Sequence, residues 1–187
     1  MEAFLVSIST VGVAEMGDRT QLLSFVLACR YRQPWPIVAG IFVATLANHT
    51  AAAFLGRWIG HLLTPAILDG AVGLSMLAMA LWTLRPDKLD DDSLGFARGA
   101  FTATTIAFFI AEIGDKTEIA TIGLAAAYST LPAVIAGTTS GMLLANIPVV
   151  FLGNSFTRHL PMTAIHRGAA CLFAGLGVLF IVRALMH

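Results

Sequence analysis

Charge is scarce in this sequence. Only 12% of its 187 residues are Asp, Glu, Lys or Arg, eleven of each sign, about half the share of an ordinary globular domain. A soluble domain of this length needs a polar shell, and the chain lacks the residues to build one. With a formal net charge of zero, it offers no basic patch for nucleic acid and has no acidic tail. Cysteine is scarcer still. Cys29 and Cys171 show no CxxC or metal-ligand spacing, so both read as small residues in apolar surroundings rather than as a disulfide. A basic leader is also missing: the first 30 residues begin with Glu2 and carry Glu15, Asp18 and Arg19 inside their apolar run, which is not the pattern of a signal peptide.

Apolar material fills the rest. Hydrophobic residues make up 57% of the chain, and the mean hydropathy is +0.82. They come in stretches of about 20 residues or more, the length that crosses a hydrocarbon core of roughly 30 Å. Six candidate spans run over approximately 3–29, 35–60, 66–84, 97–127, 131–153 and 163–185. Short connections punctuated by proline separate most of them: Gln33-Pro34-Trp35-Pro36, Thr64-Pro65 and Leu160-Pro161. One connection is longer and hydrophilic, from Arg85-Pro86 through Asp87, Lys88, Asp90, Asp91 and Asp92 to Ser93. It reads as a solvated connector that divides the chain near its midpoint.

The two halves repeat. A shift of 97 residues places Ala14-Glu15-Met16-Gly17-Asp18-Arg19-Thr20 on Ala111-Glu112-Ile113-Gly114-Asp115-Lys116-Thr117. The same shift matches Tyr31 to Tyr128, Ala39-Gly40 to Ala136-Gly137 and Phe54-Leu55-Gly56 to Phe151-Leu152-Gly153. Shared leucine and alanine would arise by chance in any two apolar helices; a shared polar hexapeptide in hydrocarbon would not. Each half holds three spans, an odd number, so the second enters the membrane upside down relative to the first, the inverted-repeat plan of many secondary transporters. The expected fold is an all-α membrane protein of six transmembrane helices. Residues 1–86 form the first three-helix repeat, 87–96 a cytoplasmic acidic linker, and 97–187 the second, inverted repeat. Placing the N-terminus outside puts Arg30, Arg32, Arg85, Lys88, Arg98, Arg158 and Arg167 on the cytoplasmic side and leaves Arg57 and Arg183 outside. Both termini are then extracytoplasmic.

The chemistry gathers at the repeated motif. On a continuous helix Glu15 and Asp18 share a face, as do Glu112 and Asp115, and each pair falls roughly 18–24 Å along its span, near mid-depth. An acid at the centre of a span costs about 2.5–3.5 kcal/mol even on a lenient scale, so four of them imply a use. Antiparallel repeats let the two faces meet around a pseudo-two-fold axis as a pocket of hard oxygens, suited to Ca²⁺, Mn²⁺ or Mg²⁺ rather than to thiolate-seeking metals. Thr20, Thr117, Gln21 and Glu118 add further oxygens. Gly17 and Gly114 remove side chains where a backbone or an ion must approach, and they allow local unwinding. The plainest competing reading makes Glu15–Arg19 and Glu112–Lys116 i,i+4 ion pairs. Such pairs are expected, but they leave Asp18, Asp115 and Glu118 unmatched, and four motif acids against two cations leave two negative charges, which a divalent ion would balance. Arg19 and Lys116 then serve as counter-ions when the ion is away.

His49 and Asn146 form a second repeat-matched polar pair at mid-depth, for which a structural role and a site or proton-handling role remain open. Pro148 frees the carbonyl of Leu144 and favours a kink. Gly137-Thr138-Thr139-Ser140-Gly141 reads as close helix packing.

The duplicated hexapeptides Glu-Met-Gly-Asp-Arg-Thr and Glu-Ile-Gly-Asp-Lys-Thr resemble the motif of the GDT-type cation transporters, a family of bacterial manganese exporters and of Golgi and chloroplast manganese/calcium transporters. The resemblance covers essentially the whole chain. It implies Mn²⁺ or Ca²⁺ as transported substrate rather than cofactor, protons as coupling ion, and, for so compact a form, residence in a bacterial inner membrane and export of Mn²⁺. Glu118 stands where the first motif has Gln21, so the two half-sites are not chemically identical. Oligomeric state stays open, with a homodimer among the forms permitted. Two other classes compete. One is an exporter of a small organic cation or amino acid. The other is an intramembrane carboxylate enzyme, disfavoured because every motif acid is duplicated whereas acid/base chemistry wants two different environments.

Overall fold

The computed structural model describes residues 1–84, 99–152 and 162–187. The acidic linker at 87–96 and the Leu160-Pro161 turn lie outside those residues. So do Arg85, Lys88, Arg98 and Arg158, four of the seven basic residues on which the expected orientation rests.

Among the described residues the chain forms eight helices and no strand. These are α1 (Glu2–Ala14), α2 (Arg19–Tyr31), α3 (Pro34–Leu62), α4 (Pro65–Thr83), α5 (Ala100–Glu112), α6 (Lys116–Ala127), α7 (Leu131–Leu152) and α8 (Met162–Met186). Proline in the first turn starts α3 and α4, where a missing N–H costs nothing and the fixed φ already suits a helix. The α7 helix runs through Pro148 without ending.

Four helices, α3, α4, α7 and α8, are long and apolar enough to cross a membrane. The other four have 12 or 13 residues, about 20 Å at the helical rise and too short to cross singly. The stretches expected to be continuous at 3–29 and 97–127 are therefore each two helices, interrupted at the acidic motif. The cause is local. Gly17 has φ 82° and Gly114 φ 73°, a region glycine enters without penalty but which breaks the helical path. Asp18 and Asp115 follow as the N-caps of α2 and α6, positions that aspartate favours.

The distribution of polarity is that of a membrane bundle. Trp35, Phe54, Trp58, Leu74, Leu81 and Leu144 face outward, while Glu15, Asp18, Gln21, His49, Glu112, Asp115, Lys116 and Asn146 are buried. Intramembrane ionisable groups face the bundle interior in this way. Inside, α4 packs along α8, α1 along α7, and α3 against α5, α6 and α7. One apolar core joins α4, α6 and α8 through Val72, Met76, Leu124, Phe173 and Phe180. A second joins α1, α2, α3, α5 and α7 through Val11, Leu23, Ile41, Phe108 and Met142. The Gly137–Gly141 stretch lies against α1: a Cβ on Gly141 would stand 2.7 Å from the Gly12 nitrogen, and one on Gly137 2.7 Å from the Phe4 carbonyl. Small residues there let the two backbones touch. Cys29 and Cys171 are both free and exposed.

Candidate metal centre at the helix breaks

Each break turns two side chains that would have lain along a helix into the ends of two different helices. Glu15 closes α1 and Asp18 opens α2; Glu112 is the last residue of α5 and Asp115 opens α6. Helix N-termini carry partial positive charge, which favours the capping carboxylates. The Asp18 carboxylate accepts from Arg19 N at 2.8 Å.

The two breaks meet. Lys116 Nζ lies 2.8 Å from Asp18 Oδ1, and Arg19 Nη2 lies 3.1 Å from Asp115 Oδ1. This corrects the expectation of i,i+4 pairs within each motif and of unmatched aspartates. Because a helix stops and another starts inside the motif, i,i+4 spacing no longer defines a shared face. Each cation reaches instead to the aspartate of the opposite motif.

Glu15, Asp18 and Asp115, all buried, each offer one carboxylate oxygen within 4.8 Å of the others. Both breaks thus contribute to one group of hard oxygens, a donor set suited to a divalent cation. Thr20 Oγ1 donates to Glu15 Oε2, and Thr117 Oγ1 donates to Asp115 Oδ2 at 3.2 Å. Glu15 Oε1 is buried with no hydrogen-bond partner among the described residues. Such an oxygen is costly unless something else approaches it.

Glu112 lies outside this group. Thr45 Oγ1 donates to its Oε1 at 2.6 Å, and Asn48 Nδ2 donates to its Oε2 at 3.2 Å. Gln21 and Glu118 sit on the backbone of the breaks. Gly17 N donates to Gln21 Oε1 at 2.9 Å, and Gly114 N donates to Glu118 Oε2 at 2.5 Å, so the two repeat-matched side chains pin the two left-handed glycines alike. Gln21 Nε2 also donates to the Ala145 carbonyl at 2.9 Å. The His49/Asn146 pair diverges. Asn146 Oδ1 accepts from Ser24 at 2.7 Å and its Nδ2 donates to the Met142 carbonyl at 3.0 Å, whereas neither ring nitrogen of His49 has a hydrogen-bond partner among the described residues.

Three residues of this network escaped the reading of the sequence: Ser24, Thr45 and Asn48. Thr45, Asn48 and His49 fall at i, i+3 and i+4, one face of α3, and that spacing is the signal that would have found Thr45 and Asn48. The repeat hid it, since a shift of 97 puts Met142 and Ala145 opposite Thr45 and Asn48.

These features define a multi-pass helical membrane protein with a buried carboxylate centre. The chain belongs to the family described as divalent cation/proton antiporter GDT1, whose model matches residues 3–91 and 100–187. It is therefore a member of a transporter family, one of divalent cations. It is 53% identical over 174 residues to a protein of Vibrio cholerae serotype O1 named "Putative manganese exporter", with 92% of this chain and 87% of the relative covered. A GDT1-like protein of Synechocystis sp. is 27% identical, covering 83% of this chain and 84% of its own. No solved structure matches the chain.

Proposed function

We propose that this protein exports a divalent metal cation, Mn²⁺ foremost and Ca²⁺ as a second substrate, in exchange for protons. The observation that carries the reading is the convergence of Glu15, Asp18 and Asp115 oxygens within 4.8 Å in a buried setting. Glu112 joins as the fourth carboxylate, and Thr20 and Thr117 orient the ligands. Arg19 and Lys116 neutralise Asp18 and Asp115 while the ion is away. The ion must displace both cations to reach the aspartates. Arg19, with its side chain 31% exposed, has room to swing out, while Lys116, at 3%, must move with α6.

The two broken helices meet at the membrane centre, one from each half of an inverted repeat, residues 1–86 and 97–187 joined by a cytoplasmic linker at 87–96. Both termini lie outside, and the membrane is the bacterial inner membrane. Broken helices with ion sites at their half-helix ends are the usual device of such carriers. An organic-cation exporter would need an aromatic or apolar pocket beside the acids, and the described site brings together carboxylates, hydroxyls, amides and the basic groups of Arg19 and Lys116 instead.

The test is flux. In proteoliposomes of the purified full chain, Mn²⁺ should move on addition of protein and stop with Asp115→Asn, and Mn²⁺ should raise the melting temperature of the purified protein. Stabilisation by organic cations without metal, and no Mn²⁺ flux, would sink the reading.

A further inference from the structure

Glu15 and Glu112 are repeat equivalents, yet their surroundings differ. Glu15 sits in the three-carboxylate group with one oxygen taken by Thr20 and the other unpartnered among the described residues. Glu112 has both oxygens occupied by donors from α3: Thr45 at 2.6 Å and Asn48 at 3.2 Å. Asn48 is itself held, since its amide also donates to the Phe109 carbonyl at 3.0 Å. Both of its N–H groups are thus used, one on the backbone of α5 and one on the carboxylate that ends α5. The matching positions on α7 are Met142 and Ala145, neither of which has a side-chain donor able to hold Glu15 the same way. Thr117, the equivalent of Thr20, bonds Asp115 at 3.2 Å.

We propose that Thr45 and Asn48 are positioning residues that hold Glu112 outside the Glu15/Asp18/Asp115 group, so that Glu15 is a resident ligand and Glu112 one that must be released to complete the metal shell. This rests on the function proposed above and adds an asymmetry between the halves to it. Two hydrogen bonds, from a helix that packs on both α5 and α6, make Glu112 a ligand with two places to be. Metal binding must overcome the clamp, and the clamp pulls the carboxylate back when the ion leaves, which speeds release. A clamp with no counterpart in the first half makes loading and unloading unequal steps.

The sign of an affinity change decides the matter. Mn²⁺ affinity of the purified full chain is measured by calorimetric titration at fixed pH for the wild type, Thr45→Val/Asn48→Ala, Glu112→Gln and the triple variant. Removing the clamp should tighten Mn²⁺ binding by about tenfold, the change expected for loss of one net hydrogen bond's worth of opposition, and should slow turnover in proteoliposomes. In the Glu112→Gln background the same two substitutions should leave affinity unchanged, because the group they act on is gone. Thr45→Ser keeps the donor and should bind Mn²⁺ as the wild type does, which a merely structural role for the threonine would not predict alongside tighter binding in the valine variant. If the double variant does not fold, Thr45→Val alone carries the test, with a tightening of about threefold for one of the two bonds. Weaker or unchanged binding by a folded clamp variant, or tightening that persists without Glu112, overturns the clamp while leaving the metal site standing. A wild type that binds no Mn²⁺ overturns the proposed function and the clamp with it.

Discussion

Lys116 Nζ lies 2.8 Å from Asp18 Oδ1, so the cation at the head of α6 neutralises the acid that caps α2. The reciprocal contact, Arg19 to Asp115, is 3.1 Å long. Together they tie the two helix breaks to each other, and their exposures are unequal: the Lys116 side chain is 3% exposed and that of Arg19 31%. Two contacts of similar geometry therefore have different consequences when an acid is removed.

Asp18→Asn and Asp115→Asn should each abolish metal transport, since each aspartate supplies one of the converging oxygens. Their stabilities should differ. Asp18→Asn breaks a contact that is buried on both sides, whereas Asp115→Asn breaks one whose cation is partly exposed and less tightly enclosed. Melting in detergent should place Asp18→Asn clearly below Asp115→Asn, both still inserted. Wild-type transport by either variant would remove its aspartate from the site.

Gly114 tests the break itself. Its φ of 73° suits glycine, and a Cβ there would meet no atom within 4 Å. The cost of Gly114→Ala is therefore conformational alone, about 1–2 kcal/mol for a left-handed residue bearing a Cβ. A lower melting temperature with reduced transport is expected. An unchanged melting temperature would show that the segment can adopt another path.

Orientation follows from the basic residues. Cysteines introduced near Asp90 and at the C-terminus should be labelled by impermeant reagents from opposite faces, cytoplasmic for the first and extracytoplasmic for the second. Labelling of both from one face would remove the inverted repeat.

What was legible in the sequence was the polar signal. Glu15, Asp18, Glu112 and Asp115 stood out because acids in apolar runs are expensive, and their duplication gave both the repeat and the family. What was not legible was how the chain runs through them. Treating 3–29 and 97–127 as continuous helices put Arg19 one turn from Glu15, whereas the backbone turns at Gly17 and Gly114 and sends each cation to the opposite motif. Glycine signalled the possibility of unwinding, but single residues do not say where a chain goes next. Thr45 and Asn48 were invisible for a related reason. Attention to what repeats overlooks what differs between the halves, and the hold on Glu112 is such a difference.

The driving force gives the last prediction. Protons and metal bind the same carboxylate oxygens, so occupation by one excludes the other. Four motif acids face two motif cations, leaving a negative site that takes up positive charge of either kind. Lowering the pH supplies the competitor; the sign is therefore fixed, with metal affinity falling as pH falls and rising as it rises. By linkage, the slope of log affinity against pH equals the number of protons displaced per ion bound, and a slope of about one or more is expected across the titration of the site. The same competition couples the two fluxes, because a site that crosses loaded with metal returns loaded with protons. An imposed proton gradient should then drive Mn²⁺ across proteoliposomes uphill with the electrical potential clamped at zero, and Asp18→Asn should lose that response. Metal flux indifferent to the gradient, together with an affinity that does not change with pH, would replace exchange by a channel or by another coupling ion.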